Sequence, residues 1–145
     1  MSESKFSPDE VRRLLFTAAK IMVPSLRAPR GEGSLNARRK IDILEDHLIL
    51  ISRWRAQLEE AMLYMQAATK TLEDKWDQIE GWETMRADGE KSQKSIVEAK
   101  RKVRPELYDG IREAKWLADK LGRQIRRLER DEEYTVSRAY TLITG

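Results

Sequence analysis

The chain has 145 residues, with 28 basic and 25 acidic side chains, one histidine and no cysteine. That length is the natural size of a single domain, and the missing cysteine excludes disulfide and thiolate–metal frameworks and fits the cytoplasm. The longest apolar stretch, around Ile41–Ile51, is interrupted by Asp42, Glu45, Asp46 and His47, so no membrane span of about 20 residues is expected.

Helix 1 is expected over 7–23. Ser7 is the candidate N-cap, Pro8 takes the first helical position, and Glu10 completes a Ser-x-x-Glu capping box. Phe6 and Val11 are spaced as a hydrophobic staple. Val11, Leu14, Leu15, Ala18 and Met22 line one face before Pro24 stops the helix. Residues 24–34 read as a linker by their Pro, Gly and Ser content. Helix 2 is expected over about 35–85, starting near Ser34 or Asn36. Its apolar positions recur at steps of 3 and 4 from Ile41 through Leu44, Leu48, Ile51, Leu58, Met62, Met65, Leu72, Trp76 and Ile79, with Arg55 and Thr69 as interruptions. A period of 3.5 held this long is the signature of coiled-coil packing. Residues 86–91 form the turn. Helix 3 is expected over about 92–131, with a kink or break near Pro105 and a seam of Leu107, Ile111, Ala114, Ala118, Leu121, Ile125 and Leu128. A C-terminal segment, 132–145, follows as a short helix or tail.

These elements give an all-α fold: a long antiparallel helical hairpin, coiled-coil-like, with a short N-terminal helix packed on it. A turn at Asp88–Gly89 makes facing residue numbers sum to about 177, so Leu58 faces Ala118 and Met65 faces Ile111. Net charge runs +5 over 1–40, −7 over 41–90, +7 over 91–130 and −2 over 131–145. The long helices therefore attract one another, and Glu59, Glu73 and Asp74 fall near Lys115, Lys120, Arg101 and Arg104. Helix 2 carries a second stripe of Ile43, His47, Leu50, Trp54, Ala61, Tyr64 and Ala68. A helix apolar on two faces is buried on two sides. Helix 1 can cover the part near Ile43–Trp54, which leaves the remainder for another copy or another protein.

Enzymatic chemistry finds little support. His47 stands without cysteine or a Glu-x-x-His partner, and HExxH, P-loop, GxGxxG and GxSxG motifs are missing. No catalytic residue, metal ligand or cofactor is assigned, and His47 reads as a packing or surface residue. Two interaction surfaces remain. Arg27, Arg30, Arg38, Arg39 and Lys40 form one basic cluster, and Arg123, Arg126, Arg127 and Arg130 form another. In the register above they share one end of the hairpin, where they could bind phosphate. Cations in the first turn of helix 2 also oppose its dipole. The competing surface is aromatic. Trp54, Tyr64, Trp82 and Trp116 lie off the seams, as anchors of a protein interface do.

The Arg/Glu-rich heptads and the ending Arg-Leu-Glu-Arg-Asp-Glu-Glu-Tyr-Thr-Val-Ser-Arg-Ala-Tyr-Thr-Leu resemble the small charged helical-hairpin proteins of tailed bacteriophages. The resemblance implies particle assembly, accessory roles in DNA processing or binding of host proteins, in the host cytoplasm. The expectation is a non-catalytic assembly or adaptor protein that forms a homo-oligomer and binds a protein partner. The alternative is a nucleic-acid-binding accessory protein that uses the basic end.

Overall fold

The computed structural model describes residues 6–27, 35–82 and 93–145. Among them it shows four α-helices and no strand: α1 (Pro8–Ala19), α2 (Ala37–Asp77), α3 (Gln93–Val103) and α4 (Pro105–Thr144). The fold is the expected all-α hairpin, formed by α2 and α4, with α1 laid along it. Arg30, the expected turn at 86–91 and most of the expected linker lie outside the described residues.

The helix starts follow local chemistry. Ser7 Oγ accepts from the Glu10 amide at 3.3 Å, and Pro8 opens α1. The Glu10 carboxylate accepts from Arg13 at 2.9 Å. Phe6 and Val11 are both buried beside this start. Asn36 caps α2, its side-chain oxygen accepting from the Arg39 amide at 2.8 Å. α4 opens with Pro105, whose ring cannot continue α3. Arg104 leaves helical geometry at φ −135 and ψ 73. The break expected near Pro105 is present.

Three helix ends differ from the sequence expectation. α1 stops at Ala19 rather than 23, because side chains of α4 take over its last carbonyls. Gln124 Nε2 donates to Ala18 O at 3.3 Å, and Arg127 donates to Ala19 O and Ile21 O. A cation on the carbonyl end of a helix also suits its dipole. Met22 is therefore exposed rather than part of the α1 face. α2 stops at Asp77 rather than 85. Gly81 lies at φ 81, a left-handed conformation open to glycine at little cost, and the chain turns there although apolar spacing continues through Ile79 and Trp82. At the other end, 132–145 is not a separate segment. α4 passes through it unbroken to Thr144, since no glycine or proline occurs between 123 and 144.

The register also differs. Facing pairs are His47 with Asp131 (sum 178), Leu72 with Gly110 (182), Met62 with Gly122 (184) and Glu73 with Lys115 (188). The register thus agrees with a sum of 177 at the His47 end and departs from it by about one heptad around Met62 and Leu72. A slide of seven residues returns each seam position to a seam position, so the apolar pattern does not distinguish the two registers. Because α2 ends early and α3 belongs to the connection, α4 rather than the stretch after residue 91 is the partner strand of the hairpin. Leu58 is fully buried as expected, but Ala118 does not face it. The close approach is made by Gly122, where a β-carbon would lie 3.5 Å from the Met62 methyl. The Glu73–Lys115 attraction is realised at 2.9 Å.

One apolar cluster joins the three helices. Val11 and Ala18 of α1 meet Ile51, Leu58, Ala61 and Met65 of α2 and Leu117, Leu121, Ile125 and Leu128 of α4. Burial of such side chains contributes about 1.5–3 kcal/mol each, before conformational entropy is set against it. Next to this apolar seam sits one buried polar pair. His47 Nε2 lies 2.9 Å from Asp131 Oδ2, with side chains 4% and 8% exposed. His47 is a packing residue that spans the hairpin. Thr135, one turn further on, is buried and donates to Asp131 O at 2.7 Å.

Candidate functional site

α1 runs parallel to α4 along one flank of it. Arg12 pairs with Glu113 near the start of the contact, and Arg127 holds the α1 carbonyls at its end. α1 buries Val11 and Ala18 inward. Phe16 is thereby turned outward, on the same side as Trp116 of α4. They are 65% and 52% exposed, far more than rings of this size normally show. Between them lies a groove of about 590 Å³ with a floor of Leu15, Phe16, Ala19 and Trp116.

The groove is flanked by cations. Arg12, Lys120, Arg123, Arg127 and Arg130 line it. Their positions on α4, with Trp116, recur at steps of 4 and 3, which places them on one flank of the helix. Lys120 Nζ sits 5.4 Å from the Trp116 ring, and Lys20 Nζ sits 4.1 Å from the Phe16 ring. Arg123 pairs with Asp119 at 2.9 Å, an exposed contact worth little in water. Arg130 has no ion pair among the described residues. The groove thus combines an apolar floor with positive edges, suited to an apolar side chain carried next to acidic groups.

The expected site residues distribute unevenly. Trp54 is half-buried and packs against the core. Tyr64 meets Phe6 with ring centroids 5.9 Å apart. Trp82 is half-buried with Lys100 Nζ 5.9 Å from its ring. Trp116 alone of these four reaches the groove. Arg27, Arg38 and Arg39 are exposed, and Lys40 lies in a shallow cleft with Leu26, Arg138 and Leu142. Arg30 is outside the described residues. Arg126 is exposed and reaches back over Gly122.

Lys40 and the arginines Arg123, Arg127 and Arg130 line different clefts. Lys40 shares its cleft with Ser137, Arg138, Thr141 and Leu142, seven to twelve residues beyond Arg130, or roughly 10–18 Å along α4. Asp131 and Glu132, between the two clefts, bind His47 at 2.9 Å and Arg55 at 2.8 Å. Lys120, Arg123 and Arg130 line the groove together with Trp116. Phe16 and Arg12 were not singled out by sequence, and Lys120 only as a partner for carboxylates of helix 2. The available signal was Phe16 itself, an aromatic residue outside the apolar face of helix 1.

Among the described residues the one carboxyl displaced from its usual range is Glu106, at the α3–α4 break. The hydrogen bond from Arg104 holds it below the ordinary carboxylate value. It lies outside the groove. Among the described residues no cluster of three or more His, Cys, Asp or Glu side chains is placed to hold a metal, and no helix is long and apolar enough to cross a membrane. No family model, curated protein or solved structure matches the chain.

Proposed function

We propose that the chain is a non-catalytic helical assembly or adaptor protein that self-associates and docks a protein partner in the groove between α1 and α4. The observation that carries this reading is the outward exposure of Phe16 and Trp116 across one concave, cation-flanked surface. Helix-in-groove recognition needs such a floor for anchors and such edges for orientation. Particle assembly, the setting implied by the resemblance to phage hairpin proteins, belongs to the same reading.

A second reading has one observation in its favour. An exposed tryptophan among Lys120, Arg123 and Arg130 is also a stacking platform for a single-stranded nucleic acid. Capture from a native lysate of the source cells separates the two. Immobilised wild-type protein should retain a defined protein that survives nuclease treatment and moderate salt, and Phe16→Glu with Trp116→Glu should lose it. Retention of nucleic acid alone, with steep salt dependence, would replace the first reading by the second.

A further inference from the structure

A second exposed row lies on α4 beyond the groove. Glu129, Glu133, Val136, Tyr140 and Ile143 recur at steps of 4, 3, 4 and 3 and are all exposed, Tyr140 at 67% and Ile143 at 69%. At roughly 100° per residue, Tyr140 points about 160° away from Lys120 around the helix. The row therefore faces away from α1 and away from the groove.

The two rows are complementary in three respects. The groove row runs from Trp116, beside Phe16, to Arg130, so its apolar part comes first and its positive part last. The second row runs from Glu129 to Ile143, so its acidic part comes first and its apolar part last. Laid antiparallel, Glu129 and Glu133 face Arg130 and Arg127, while Tyr140 and Ile143 face Phe16 and Trp116. The extents also agree, since each row covers about 21 Å of α4. Finally, both rows belong to one continuous helix, so a chain cannot fold its own second row into its own groove.

We infer that the occupant of the groove is the Glu129–Ile143 face of a second copy of this chain, in a head-to-tail contact. This rests on the self-association in the proposed function and names its geometry. Different patches meet, so the contact is heterologous and each added copy leaves one groove and one row open. Because neighbours lie antiparallel, the assembly grows into an open chain and does not stop at a two-fold dimer.

The test uses two exposed substitutions and mass measurement by sedimentation velocity. Trp116→Glu spoils the groove and leaves the row. Tyr140→Lys spoils the row and leaves the groove. Wild-type protein should show a mass that rises past two chains as concentration is raised to about 100 µM. Each variant alone should stay at the 17.0 kDa of one chain, with an unchanged helical melt. An equimolar mixture should form a dimer and nothing larger, because only one intact groove and one intact row remain to meet. A wild type that stops at two chains, or a mixture of variants that stays monomeric, would overturn the head-to-tail contact. A wild type that is monomeric throughout would overturn it too. Partner capture from lysate, measured separately, would still decide the docking reading.

Discussion

Replacing His47 by Leu leaves Asp131 stranded. Its Oδ2 loses the imidazole at 2.9 Å, and its Oδ1 is buried with no protein hydrogen bond. The pair is nearly solvent-free, so water cannot restore what is lost without opening the hairpin. Leaving a buried acceptor without its donor costs about 1–3 kcal/mol. For a chain of this size each kcal/mol moves the melting midpoint by about 2–4 °C, so a drop of about 2–12 °C is expected. The double variant His47→Leu, Asp131→Leu removes both polar groups and should recover most or all of the loss, since apolar side chains of similar volume often replace such pairs without penalty. Thermal melts followed by circular dichroism on the two single variants and the double variant measure this. An unchanged melt in His47→Leu would refute the buried pairing. A double variant as unstable as the singles would refute the coupling between the two residues.

Other outcomes follow from the packing. Leu58→Ala should cost about 2–5 kcal/mol in a chemical denaturation series, because the side chain is fully buried in the three-helix cluster. Gly122→Ala should raise stability by about 0.5–1 kcal/mol, since a β-carbon at 3.5 Å from Met62 fits and the helix gains from losing glycine; Gly122→Phe should destabilise by about 1–3 kcal/mol in the same assay. Arg127→Ala should release the end of α1, read as faster amide exchange at Lys20 and Ile21 and a loss of about 1–2 kcal/mol.

Local features were legible in the sequence because their chemistry is local. Ser7 with Pro8 starts α1, Asn36 starts α2, and Pro105 breaks the return limb, each through groups within four residues. The heptads announced the hairpin and the burial of Leu58. The register was not legible, since a slide of one heptad keeps apolar opposite apolar. The feature that marks the departure is a single residue, Gly122 receiving Met62, whereas His47 and Asp131 keep the expected register. The early end of α2 was hidden because Ile79 and Trp82 continue the apolar spacing past the point where Gly81 turns the chain. The groove was hidden for a different reason. Phe16 and Trp116 are a hundred residues apart, and they become neighbours through Gln124 and Arg127 gripping the end of α1, a contact between polar side chains and backbone that no periodicity records.

The central claim is that the α1–α4 groove is where this protein docks its partners. A photoreactive phenylalanine analogue at position 116 tests it most directly, with the same analogue at exposed Asp109 on α4 as the control. Illumination in native lysate should give discrete protein adducts from position 116 that disappear when Phe16 is changed to Glu, and none from position 109. Equal adducts from both positions, or none from 116, would contradict the account.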